Sequence, residues 1–209
     1  MVQLTLSILS TEQRRQLVND WVDAGGGVAF DPASEAEAFL EFVAGRLNDP
    51  SHAMTVCRVE QAAYRAGGAA LWFRLPEPSA LDHPGAVLCA GKDAALVRFF
   101  AEPQRLFASI AAKAPLPPLS DKCFLVLFAP GLPMLCRDAN NEGAAIWGKL
   151  AHPIPVEQLF DFTKPAIGAL FRIGAVELVY QKSVSGRATP IVFPVAERSI
   201  ALPFGLYIR

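Results

Sequence analysis

Between Ser51 and Ala66 the chain carries apolar residues on more than one side of a helix: Met54, Val56, Cys57, Val59, Ala62 and Ala63. A helix with so much apolar girth is stable only when neighbours cover several of its faces. It must therefore lie at the centre of a fold, and the rest of the chain must supply the cover. Its polar members, Arg58, Glu60 and Gln61, read as an internally paired seam.

The cover on one side is helical. Ser10-Thr11-Glu12-Gln13 is a capping box, followed by a stripe of Leu17, Val18, Trp21 and Val22. Ser34-Glu35-Ala36-Glu37 repeats that signal, and Ala36, Phe39, Leu40, Val43 and Leu47 keep helical spacing behind it. Asn48-Asp49-Pro50-Ser51 breaks and restarts the chain. After about residue 75, Pro76, Pro78 and Pro84 mark a loop, and 85–90 and 94–100 read as short strands. Glu102-Pro103 opens a helix with Leu106, Phe107 and Ile110 on one face. Pro115, Pro117 and Pro118 then form a stiff connector. This divides the chain into a mainly helical part, 1–115, a second domain, 116–185, and an apolar tail, 186–209.

Several function classes are excluded by composition. With 19 basic and 20 acidic residues the chain lacks the electrostatics of a general nucleic-acid or membrane-surface binder. No run of about 18 apolar residues exists to span a bilayer. No secretory signal precedes the first helix, so the expected location is cytoplasmic. Cys57, Cys89, Cys123 and Cys136 contain no CxxC, and His52, His83 and His152 are scattered, so no metal site is expected in this chain. Gly85-Ala-Val-Leu-Cys-Ala-Gly91-Lys92-Asp93 departs from a phosphate loop by one extra residue and by Asp93 in place of Ser or Thr. Its interior is a buried strand, and Ala24-Gly25-Gly26-Gly27 ends a helix. Nothing nominates a catalytic nucleophile, and the chain is expected not to be an enzyme.

Residues 121–182 carry the most information. Lys122–Phe128 is a buried-strand run, Ala129-Pro130-Gly131 turns it, and Leu132–Arg137 returns as an antiparallel strand. Asp138 or Asn140 caps a helix with Ile146, Trp147 and Leu150 inward. Pro155 opens a second helix with Val156, Leu159 and Phe160 inward. Thr163-Lys164-Pro165 starts a third, with Ala166, Leu170 and Phe171 inward. Gly174 ends it, and Val176, Leu178 and Tyr180 form a closing strand. The fold class is thus α+β, a helical N-terminal part joined to a winged helix-turn-helix. The alternative function for such a module is transcriptional regulation on DNA. Charge opposes it: Lys122, Arg137, Lys149, Lys164, Arg172 and Lys182 are balanced by Asp121, Asp138, Glu142, Glu157, Asp161 and Glu177.

The run from Val126 to Trp147, with Pro155–Leu159 and Leu170–Leu178, resembles the PqqD-like recognition elements of peptide-modifying systems. Members of that family add a leader peptide as a strand at a sheet edge beside the third helix. The stretch Cys57-Arg-Val-Glu-Gln-Ala-Ala-Tyr-Arg-Ala66, ahead of Phe124–Trp147, is similar to the family of methanobactin-biosynthesis partner subunits (MbnC). The resemblance implies a subunit that binds a precursor's leader and docks on a TIM-barrel multinuclear iron oxygenase, which converts a core cysteine to an oxazolone with an adjacent thioamide. The iron would belong to that partner, with no cofactor in this chain. The expected edge is Leu132, Met134, Leu135, Cys136 and Arg137, and the groove beside it is lined by Ile167, Leu170 and Arg172.

In the tail, Ser183 to Arg209, Ile191, Val192, Phe193, Val195, Ile200, Leu202, Phe204 and Tyr207 are interrupted by Pro190, Pro194 and Pro203. The prolines oppose a helix, and an extended apolar segment is expected to fold back on its own domain.

Overall fold

A computed structural model of the chain describes residues 3–28, 31–159 and 161–179. A short helix, α1 (Leu4–Ser7), precedes α2 (Thr11–Asp23), which opens with the capping box: the Ser10 hydroxyl accepts from Gln13 N–H and the Gln13 side chain accepts from Ser10 N–H. Only part of the expected stripe on α2 turns inward. Leu17 is buried and Trp21 stacks edge-on against Phe39 and Phe42, whereas Val18 and Val22 stay exposed. In α3 (Pro32–Ala44) the cap is Asp31 rather than Ser34. Pro32 sits in the first turn, where its missing N–H costs least, and the Ser34 hydroxyl donates to the Asp31 carboxylate.

The central helix, α4 (His52–Ala70), starts at the cap Ser51 and extends one turn beyond the expected end. Cys57 faces a cluster with Leu17, Leu40, Val43 and Ala44, while Val56, Val59, Ala62 and Ala66 face a second cluster on the other side. Its polar seam is paired internally. Arg58 donates to Gln61, Gln61 donates to Glu41, and both Glu60 carboxylate oxygens accept the Leu4 and Thr5 N–H groups at 2.9 and 2.8 Å.

Beyond α4 the chain is α+β, with two three-stranded antiparallel sheets. Strands β1 (Val87–Ala90) and β2 (Ala95–Phe99), adjacent in sequence, belong to different sheets. Helix α5 (Pro103–Ala111) follows β2, and the second sheet is completed by β3 (Phe124–Phe128) and β4 (Cys136–Asp138) in the order β2-β3-β4. Its pleat sorts the side chains: Val97, Phe99, Val126 and Phe128 pack on α4, and Leu96 and Leu127 point to the opposite face. That opposite face is covered by α6 (Asn141–Lys149), capped by Asn140, and by α7 (Lys164–Arg172), capped by Thr163. The first sheet is β5-β1-β6, where β5 is Ile154–Pro155 and β6 is Val176–Val179.

The expected helix after Pro155 is instead strand β5 followed by a single 3-10 turn, Val156–Leu159. Edge pairing captures these residues: Ile154 lies opposite Leu88, and Val156 N–H donates to the Ala86 carbonyl at 2.8 Å. The closing strand β6 pairs with β1 and not with β3 or β4. Both sheets thereby join strands from either side of the boundary expected at residues 115–116. The proline connector itself is anchored, since His52 Nε2 lies 2.7 Å from the Pro117 carbonyl and Ser120 N–H bonds the Phe100 carbonyl. The readings of Phe160, Tyr180 and the tail 186–209 fall outside the described residues.

Candidate functional site

Strand β4 is the outer strand of its sheet. Ala139 N–H donates to the Leu125 carbonyl, and Ala129 N–H to that of Leu135, so Arg137 and Leu127 form the hydrogen-bonded pair between them. Cys136 and Asp138 therefore direct their backbone N–H and C=O away from β3. The strand is three residues long and contains only two of the residues expected to form the edge, Cys136 and Arg137.

The other members divide into groups. Leu132 is buried in the core with Ile167 and Leu170, and Met134 is exposed. Leu135 has a φ of 62°, its N–H donates to the Leu132 carbonyl, and its side chain joins the α4 cluster. It belongs to the turn that delivers the chain to β4. Burial first, and then the Asp138 carboxylate, push the Cys136 thiol above its ordinary pKa. Arg172 is exposed in the last turn of α7.

Arg137 and Leu170 do meet. They line a pocket of about 250 Å³ with Leu96, Leu127, Asp138 and Ala169, where β4 approaches α7. Its lining combines the apolar Leu96, Leu127, Ala169 and Leu170 with the polar Arg137 and Asp138, a mixture suited to one apolar side chain carried by an extended backbone. Two lysines near this module are engaged: Lys149 with Asp161 at 2.9 Å and Lys164 with Asp82 at 3.3 Å.

A larger groove, about 940 Å³, was not anticipated. One wall is the end of α4 and the segment after it, with Tyr64, Arg65, Trp72, Phe73 and Arg74. The other is the link between β1 and β2, Gly91–Asp93, together with Val176 and Glu177. Phe73 forms the floor by packing onto two glycines. A Cβ on Gly131 would lie 2.5 Å from its ring and 2.8 Å from Ile173 Cα, and one on Gly174 would also lie 2.5 Å from the ring. Trp72 is 72% exposed. The signal for this groove was the run Leu71-Trp72-Phe73 between Gly68 and Pro76, too short to show periodicity.

Among the described residues no group of three or more His, Cys, Asp or Glu is placed to hold a metal ion, and no helix is long and apolar enough to cross a membrane. No family model, curated protein or solved structure matches the chain.

Proposed function

We propose that this chain is a non-catalytic recognition subunit that holds the leader of a ribosomally made precursor peptide and docks on an iron-dependent TIM-barrel oxygenase. The observation that carries the recognition half is the outward-facing edge of β4 beside the pocket under α7. An extended peptide can pair with the Cys136 and Asp138 backbone and seat one apolar side chain against Leu127 and Leu170. Main-chain hydrogen bonds give affinity, and the pocket gives selectivity. The oxygenase half rests on the resemblance of residues 57–66 and 124–147 to methanobactin-biosynthesis partner subunits. On this reading the winged-helix, PqqD-like element is the part contributed by β3, β4, α6 and α7. The partner's iron would supply the oxidation of core cysteines to oxazolone and thioamide groups, with dioxygen as the oxidant, in the cytoplasm, while this chain presents the substrate.

The test is affinity capture of the tagged full chain from its native host, with mass spectrometry and metal analysis of the eluate. The expected result is a roughly equimolar iron-containing partner together with a short cysteine-bearing peptide. Asp138→Pro removes an outward N–H without touching the β3 ladder. It is expected to lose at least about tenfold of the captured peptide, or about 1.4 kcal/mol, while retaining the oxygenase. Recovery of DNA, or of the chain alone without metal, would overturn the proposal, and peptide capture unchanged by Asp138→Pro would remove the β4 edge from it.

A further inference from the structure

The outer strand β4 carries a charge pattern that decides what can pair with it. Residues directly opposite in a ladder share a face. Leu96 stands opposite Leu127, and Leu127 opposite Arg137, so these three form a row on the face covered by α6 and α7. Asp138 stands opposite Val126 and Cys136 opposite Phe128, which places both on the other face, where Val126 and Phe128 pack on α4. A strand added outside β4 continues these rows. Its residue beside Arg137 lies on the pocket side, with Leu170 and Ala169. The next residue along it stands beside Asp138 and projects to the α4 side.

The two positions ask for different chemistry. Beside Arg137 the row is apolar, and an apolar side chain there covers the aliphatic stem of the arginine as well as Leu127 and Leu170. Asp138 is exposed, and among the described residues it enters no ion pair. Its inner neighbour across the ladder is the apolar Val126, so a compensating charge can come only from the outer side. Opposite charges stabilise a cross-strand pair and like charges oppose it. The position outside Asp138 therefore favours Lys or Arg and rejects Asp or Glu. The same charges oppose a second copy as the occupant. Two antiparallel β4 edges joined through their outward groups set Arg137 against Arg137 when Cys136 faces Asp138, and Asp138 against Asp138 when that residue faces itself.

We infer, resting on the β4 reading, that the peptide held at this edge carries a lysine or arginine directly adjacent in sequence to the apolar residue that fills the pocket. Asp138 is the residue that selects it.

A random peptide library displayed on phage and selected on the immobilised full chain, on Asp138→Lys and on Asp138→Pro tests it. Asp138 is exposed, so Asp138→Lys leaves the core intact. On the parent, Lys and Arg are expected to be enriched about fivefold over Asp and Glu at the position next to a shared apolar residue. On Asp138→Lys the preference is expected to reverse, and on Asp138→Pro the selected sequences are expected to be lost. Sequences without a charge preference on the parent and on Asp138→Lys alike, yet lost on Asp138→Pro, would overturn the role of Asp138 and leave the β4 edge standing. Sequences that survive Asp138→Pro, or no enrichment over bare resin, would overturn both.

Discussion

Cys57 shows how one atom's surroundings set its chemistry. It is fully buried between α3 and α4, its thiol lies 3.3 Å from the Leu40 carbonyl, and burial pushes its pKa up to about 11. Thiolate chemistry is therefore closed to it near neutrality, whereas Cys123 is exposed. The sign of the pH effect follows from proton counting. Between the ordinary thiol value of 9.0 and about 11 the folded chain keeps a proton that the unfolded chain has lost, so stability falls as pH rises through that window. Each unit corresponds to about 1.4 kcal/mol. Urea titrations from pH 8 to 11 are expected to give a shallower alkaline loss for Cys57→Ala than for the parent. Parallel slopes would mean that the thiol is solvated. An apolar run suggests burial for Cys89 and Cys123, yet Cys89 is only half-buried and Cys123 is exposed. The pKa of Cys57 was not legible, because the burial that raises it is supplied by residues distant in sequence.

At the scale of elements, the sequence was most informative where a helix carries its own start signal. Ser10 caps α2 through its capping box, Asn140, one of two candidates, caps α6, and Ser51 and Thr163 cap the helices that begin beside them, whereas the signal at Ser34 gives way to a cap at Asp31. Errors arose where tertiary pairing competed with local pattern. Ile154 and Pro155 resemble a helix entry but are taken by the edge of β1, and Leu132–Leu135 resembles a strand but becomes a turn with Leu135 at positive φ. Only Arg137 and Leu170 of the expected edge and groove residues line the pocket, because period-two alternation says which residues can pair and not where the ladder starts. The Glu60 seam illustrates the same limit: its being paired was readable, its partner 56 residues away was not. Glu60→Ala would strand the Leu4 and Thr5 N–H groups and is expected to lower stability by about 1–3 kcal/mol. Chemical denaturation measures this, and a change under about 0.5 kcal/mol would mean that α1 finds another acceptor.

For the whole molecule the decisive fact is that β1 and β2, separated by only a few residues, serve different sheets. Every strand of the first half has its principal partner in the second, as Leu88 with Leu178 and Val97 with Val126 show. Residues 1–115 alone therefore keep α4 but leave both β1 and β2 without ladders. Expressed separately, that fragment is expected to show no protected amides over 87–99 and no cooperative unfolding of those strands. Slow exchange there would show that the N-terminal part closes its own sheet.

The same interleaving has a consequence for how the chain is made. Synthesis proceeds from the N-terminus at about 5–20 residues per second, and β6 follows β1 by roughly 90 residues. For about 5–20 s β1 exists on the ribosome with one side unpaired. α4 emerges earlier still, with the sheet that covers half of it not yet translated. The helix with the most buried residues among those described is thus translated before the sheet that shelters one side of it, which makes the nascent chain, more than the finished one, the form that depends on chaperones.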